Sequence, residues 1–431
     1  MSIYLDEGSA SRVISQSEKE LYLKQILAKL AAEKGSAPKR VLLIPPDITR
    51  FYSDSGNLSA IFYKLLSPYA HVDLLPALGT HVPMTEGEIR KMFGPDIPLD
   101  RFKIHDWRND LKELGTVPGS FIKEISEGKV DYDIRIAINK ILVEGKYDLI
   151  FSIGQIVPHE VIGMAGYTKN ICIGVGGSDT INKSHFLGAV FGMERMMGHI
   201  DTPVRRALNK GYRDFIAHLP IIFLLTVMGK ENGKMVMRGL YAGDEDASFI
   251  SAAKLSQKVN LDLLDAPIKK AVVYLEPQEF KTTWLGNKAV YRLRMAMADG
   301  GELLILAPEL HRFGEDKRID ELIRKYGYRG TPTTLKAVKE TEDLKNNLSA
   351  AAHLIHGSSE GRFKIVYATG SHLTKQEVEG VGYEHRSYAE VSKIYNPEKL
   401  KDGWNEGPGG EKFFYVSNPA LGLWALKKDF P

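Results

Sequence analysis

A single cysteine, Cys172, in 431 residues excludes an intrachain disulfide and a thiolate metal cluster. Any metal must be held by imidazole, by carboxylate or by a group the chain does not encode. No apolar run reaches the ~18 residues a membrane span needs. The opening segment, MSIYLDEGSASRVISQSEKE, is polar and acidic, unlike a signal peptide. Charge is nearly balanced, with 57 Lys+Arg against 54 Asp+Glu and a net +3. That excess is too small to imply a nucleic acid partner, and no basic tract interleaves with aromatics. Short-period repeats and low-complexity tracts are also lacking. These absences describe a cytoplasmic chain of ordinary composition, 43% hydrophobic and 26% charged, acting on small molecules.

What is present is alternation. Short apolar runs at 40–47, 71–78, 102–107, 147–156 and 169–177 read as strands, as do 221–229, 271–277, 302–308, 363–370 and 412–418. Amphipathic stretches at 18–34, 57–67, 84–93, 134–143, 182–197, 246–258, 288–298, 316–326 and 333–355 read as helices. Strands alternating with helices imply an α/β fold with mainly parallel sheets flanked by helices. A chain of this length exceeds one usual core, and the stretch DLLDAPIKKAVV (262–273) suits a boundary. The expectation is an N-terminal domain over 1–265, a C-terminal domain over 266–431 and an active site in the cleft between them.

In such folds ligands sit beyond the carboxyl ends of strands. Chemistry-bearing residues recur there: Asp47 and Arg50 after the first run, Thr80 and His81 after the second, His105 ending the third and His159 after the fourth. After the fifth comes GVGGSDTIN, residues 174–182. Gly174, Gly176, Gly177 and Ser178 can form a phosphate-binding turn at a helix start. They can equally be a tight turn with an N-cap, since both the P-loop ending and the G-x-G-x-x-G spacing are missing. Lys169 can be a nucleophile or a phosphate counter-ion. His185, on the first turn of the next helix, can be a metal ligand. The segments ALGTHVPMTEGEI (77–89) and ATGSHLTKQEVEG (368–380) share a strand end, a glycine, a hydroxyl-histidine pair and an acidic helix start. Two domains each offering a histidine, or chance likeness of two turns, would produce that echo.

Taken together these residues resemble the nickel-pincer lactate racemase family of α-hydroxyacid racemases and epimerases. Pro158-His159, GMAGYTK ending at Lys169, GVGG and Asn182-Lys183-Ser184-His185 follow its pattern in order. PPDITR (45–50) is similar to its Asp-x-x-Thr/Ser-Arg segment and ALGTHVPMTEGEI to its Leu-Gly-Thr-His segment.

The resemblance implies a nickel-pincer nucleotide, a pyridinium mononucleotide whose own sulfurs clamp the metal. It implies covalent attachment to Lys169, nickel ligation by His185 and a phosphate held by the glycine loop. It further implies His105 and His159 as acid–base groups for the two faces of a hydroxyacid, with hydride passing to and from the bound group. Arg50 would grip the substrate carboxylate and Asp47 would contact the cofactor ribose or orient Arg50. Proteins that build the cofactor would be partners.

One stretch departs from the pattern. In KAVYRLRM (288–295) Tyr291 matches, but Arg292 stands where lactate-specific members carry Gln, and Met295 where they carry Lys. Tyr291, Arg292, Arg294, His311, Arg312 and His372 suit a longer, hydroxylated or dianionic acid, such as an aldonate epimerised at C2. A lactate or malate racemase, a metal-free lyase or Schiff-base enzyme using Lys169, and a nucleotide-binding protein without catalysis are the alternatives.

Overall fold

The computed structural model describes residues 2–232 and 234–430. It is a mixed α/β protein whose chain divides into two compact units. The first comprises residues 1–187 and 196–260; the second comprises 188–195 and 261–431. The short segment 188–195 therefore packs with residues far from it in sequence.

Among the described residues, ten strands lie in the first unit. They are β1 (Ile3–Gly8), β2 (Arg40–Ile44), β3 (His71–Leu74), β4 (Leu111–Val117), β5 (Ile134–Asn139), β6 (Leu149–Gln155), β7 (Pro158–His159), β8 (Gly163–Met164), β9 (Ile221–Glu231) and β10 (Lys234–Gly243). Six of them form one sheet in the order β1-β10-β9-β6-β2-β3. Strands β3, β2, β6 and β9 run parallel, and β10 and β1 close one side antiparallel. β2 shows why the centre is parallel: Val41, Leu42, Leu43 and Ile44 are all fully buried, so both faces are covered. Phe62, from the helix Ser55–Leu66, stacks on Phe151 of β6 at 4.2 Å in this core. The helix Gln16–Lys34 starts at a capping box of Ser15 and Glu18 and ends at Gly35, whose left-handed φ of 71° suits glycine.

The second unit holds β11 (Asp262–Leu264), β12 (Ile268–Tyr274), β13 (Met297–Ala307), β14 (Lys364–Thr369), β15 (Glu384–Ser387), β16 (Gly403–Glu406), β17 (Lys412–Val416) and β18 (Trp424–Leu426). Its main sheet runs β15-β14-β13-β12-β17-β16, parallel except for the β16 edge.

Three sequence expectations change. Residues 134–143, read as a helix, begin with strand β5: Ile134, Ile136 and Ile138 are buried with a period of two. Residues 102–107 form no strand; Phe102 makes only an isolated bridge to Leu74. Residues 169–177 form no strand either. Asn170–Gly174 is a π-helical turn, because the place beside β6 in the sheet is taken by β9.

Candidate active site

At the carboxyl end of β2 the chain turns through Pro45 and Pro46 into a 3₁₀ segment, Ile48–Ser53, capped by Asp47. The Thr226 hydroxyl on β9 donates to the Ser53 carbonyl at 2.9 Å and anchors this turn to the sheet. Asp47 is buried, at 4% exposure. Its carboxylate accepts from the Thr49 amide at 3.2 Å, from the Thr49 hydroxyl and from His81 Nδ1 at 2.6 Å. Burial alone would raise the Asp47 pKa, but the hydrogen bonds from His81 and Thr49 outweigh it and hold the carboxyl below its ordinary range. An ionised Asp47 fixes the proton of His81 on Nδ1 and leaves the Nε2 lone pair open. The His81 side chain is 57% exposed, and Thr80 next to it and Arg50 on the Asp47 turn are exposed as well. The Gly79 amide donates to the Gly174 carbonyl at 2.8 Å, which ties the His81 turn to the segment after Lys169.

His159 ends the hairpin arm β7, paired with β8. Gly163 is required there: its φ is +88°, and an added Cβ would stand 2.2 Å from the His199 carbonyl oxygen. The His159 ring is buried, and its Nδ1 accepts from the Val161 amide at 3.1 Å. The proton of the neutral ring therefore sits on Nε2. Burial pushes its pKa well below the usual value, and the charges of Lys169, Arg50 and His185 act in the same direction. His81 and His159 thus present opposite faces of imidazole chemistry, one a lone pair and the other an N–H.

Lys169 occupies a helical turn, not the approach to a strand. The next side chain, Asn170, donates to the Ile44 carbonyl and the Ser152 hydroxyl, each at 3.0 Å, and so pins the turn to the end of β2 and the middle of β6. Burial, then the nearby Arg50, pushes the Lys169 amine down to about 8. Arg205, itself buried, donates to the Thr168 hydroxyl at 2.9 Å and to the Met164 carbonyl at 2.5 Å. Neither Asn170 nor Arg205 was legible beforehand: an asparagine after a lysine, and an arginine in an amphipathic helix, carry no signal of their own.

His185 lies in the helix Ser178–Phe191. Its Nδ1 donates to the Ile181 carbonyl at 2.6 Å, leaving Nε2 as a free ligand atom, and burial pushes its pKa down to about 4. That carbonyl contact is the usual support of a metal-binding imidazole. Cys172 is buried and its thiol is pushed up to about 12 by burial, so it offers no thiolate.

Two expected site groups are engaged within the fold. His105 is buried: its Nε2 donates to the Gly176 carbonyl and its Nδ1 accepts from the Asn139 amide, each at 3.1 Å. Burial lowers its pKa and keeps it a neutral brace. The glycines at 174–177 are packing glycines. The Gly176 amide donates to Ile173 and the Gly177 amide to Ala137, so both are already used. An added Cβ on Gly176 would meet the Cys172 carbonyl at 1.9 Å. Of the loop expected to hold a phosphate, Ser178 remains, half-buried at the helix start.

The second unit engages two more. Tyr291 is buried and its hydroxyl bonds His353 Nδ1 at 2.8 Å. Arg294, at 2% exposure, donates to Glu194 at 2.9 Å and to the carbonyls of His356 and Ser358. Both are internal and satisfied. Arg292 is half-buried, while His311, Arg312 and His372 are exposed.

Residues 9–197, which contain every first-unit site residue, match the lactate racemase N-terminal domain model. Over these residues the chain is similar to the lactate racemase family. It is 24% identical over 257 residues to the lactate racemase of Lactiplantibacillus plantarum, covering 56% of this chain and 57% of that protein. The aligned stretch thus spans little more than half of the curated relative. A crystal structure of a Thermotoga maritima protein superposes on 98% of this chain and 100% of that one, at 25% identity and a TM-score of 0.77. The lactate racemase apoprotein of Thermoanaerobacterium thermosaccharolyticum covers 97% of this chain and 94% of its own, at 18% identity and a TM-score of 0.70. The last comparison carries the fold. Among the described residues, no helix is long and apolar enough to cross a membrane.

Proposed function

We propose that the protein is an isomerase, a racemase or epimerase of α-hydroxyacids, with His81 and His159 as its two proton-transfer groups. The observation that carries this reading is their opposed presentation. His81 is held by Asp47 with Nε2 unprotonated, and His159 is held by the Val161 amide with Nε2 protonated. Inverting a carbinol centre needs a group that takes the hydroxyl proton and one that returns it, and neutral imidazoles suit both roles near pH 7. Arg50, exposed and near enough for its charge to act on both Lys169 and His159, would grip the substrate carboxylate as a fork.

Two features fit a lysine-tethered nickel-pincer nucleotide. Lys169 has an amine with depressed basicity, suited to covalent attachment. His185 has a free Nε2 with its tautomer set by the Ile181 carbonyl. The glycine amides do not fit a phosphate cradle, so the phosphate would rest on other groups. When bound, the group would supply reversible hydride acceptance at the substrate's carbinol carbon. The chain's own part is to hold it through Lys169 and His185, anchor the carboxylate at Arg50 and move the hydroxyl proton at Nε2 of His81 and His159.

The substrate is proposed to be a longer acid than lactate, of the aldonate type. With Tyr291 and Arg294 internal, this rests on Arg292, half-buried where the lactate-specific pattern has Gln. Cofactor-loaded enzyme should be given lactate, malate and five- and six-carbon aldonates in deuterated water, with stereochemical change followed by NMR. Turnover of a longer acid at least ~10²-fold above lactate in kcat/KM is expected. Equal turnover of lactate would remove the substrate proposal, and inertness towards every acid would remove the isomerase reading.

A further inference from the structure

Glu309 and His311 follow the carboxyl end of β13, and His372 follows the carboxyl end of the adjacent parallel strand β14. This is the edge of an open parallel sheet where ligands collect. The two loops touch because residue 370 is glycine: an added Cβ would stand 2.1 Å from the Pro308 carbonyl oxygen. The His311 amide donates to the Lys281 carbonyl at 2.8 Å, which fixes the first loop from its other side. The imidazoles of His311 and His372 then stack at 3.9 Å with 14° between their planes. Nε2 of each ring lies near one oxygen, Oε2 of Glu309: His311 hydrogen-bonds it at 3.2 Å and His372 stands 3.3 Å away. The three side chains are 42–45% exposed, so solutes reach them. The neighbouring Arg312 guanidinium is occupied by the Glu315 carbonyl.

The His311 contact lies at the long end of the hydrogen-bond range and beyond the ~2.7–2.9 Å of a charge-assisted N–H···O bond. Ligand atoms around a metal with ~2.0–2.2 Å bonds at the tetrahedral angle lie about 3.3 Å apart. Among the described residues this is the group of three whose ligand atoms all lie within 4.8 Å of one another. Two imidazoles and a carboxylate select a transition ion over a hard cation such as magnesium, and three protein ligands leave a coordination position open. We propose that Glu309, His311 and His372 form a binding site for a divalent transition metal of the zinc type, whose open position faces solvent and accepts water or an anion. The site lies wholly within the second unit.

The test uses the full chain, stripped with a chelator and carrying His185→Ala so that the other metal-ligand candidate is silent. Zn²⁺ is titrated by calorimetry, and Co²⁺ is followed by its visible absorption. One equivalent of each is expected, with the band intensity of a tetrahedral site. His311→Ala, His372→Ala and Glu309→Gln should each weaken Zn²⁺ at least ~10-fold. Their circular dichroism melts should match the parent, since the side chains are exposed. Absence of stoichiometric binding, or binding unchanged in the His311→Ala/His372→Ala double variant, would overturn the proposal and leave one ring hydrogen-bonded to Glu309 with the other stacked on it.

Discussion

Nδ1 of His81 lies 2.6 Å from Oδ2 of Asp47, a buried carboxylate joined to a largely exposed imidazole across 34 residues of sequence. The carboxylate sets the tautomer, and the exposed Nε2 faces whatever enters. In loaded enzyme, His81→Ala should lower kcat by about 10²–10⁴-fold, the usual contribution of a general acid–base group. Asp47→Asn should lower it less and change the pH profile, because the ring can then take either tautomer. A near-normal rate in His81→Ala would return His81 to a bystander role.

His105 makes the opposite case. Its two ring nitrogens brace the Gly176 carbonyl and the Asn139 amide. His105→Ala should destabilise the fold by about 1–3 kcal/mol, the cost of leaving buried polar partners unsatisfied. Urea denaturation measures it. Selective loss of turnover with unchanged stability would show that His105 has a chemical role after all.

Lys169 should stand out among the lysines in amine acylation of the cofactor-free protein. With a pKa pushed down to about 8, about half of it is neutral near pH 8, whereas ordinary lysines reach that point near ~10.4. Peptide mapping after brief labelling at several pH values checks this. The linkage sign follows. Between about 8 and ~10.4 the unfolded chain carries a proton at this site that the folded chain has lost, so stability should rise with pH across that window. Lys169→Met should flatten that slope.

Arg294→Met should cost roughly 2–3 kcal/mol in a chemical melt. That is below the ~3–5 kcal/mol of a fully buried broken pair, because Glu194 is 33% exposed. The relative rates on different hydroxyacids should stay the same. A shift in substrate preference would mean the guanidinium acts beyond the core.

Much of the sheet was legible because β2, β6, β9, β13 and β14 are unbroken apolar runs, and such runs declare a parallel strand covered on both faces. Asp47 and His159 stood out because each follows such a run, and Lys169 and His185 because of their spacing from His159 and the glycines. The failures have physical reasons. Ile134, Ile136 and Ile138 alternate with a period of two, yet a short apolar stretch also fits a helix. Asn170–Gly174 is as apolar as a strand, and only the occupancy of the neighbouring sheet position by β9 excludes it. Arg294 reads as a surface cation in sequence; its burial depends on Glu194, which lies a hundred residues away. His81 and His105 could not be ranked by sequence, since what separates them is which ring nitrogens are already engaged.

The π-helical turn at Asn170–Gly174 sets a limit on how this chain can vary. Its start is pinned by the Asn170 side chain on two strands, and its exit by the Gly176 and Gly177 amides in backbone hydrogen bonds. A segment fixed at both ends has no slack. Deleting one residue would tighten the turn towards an α-helix and swing Lys169 by ~100° around its axis. Inserting one would push the amine away from those strands. Descendants of this sequence can therefore exchange the apolar side chains of 171–175 for others of similar volume, but the number of residues between the lysine and the following helix is not free to drift.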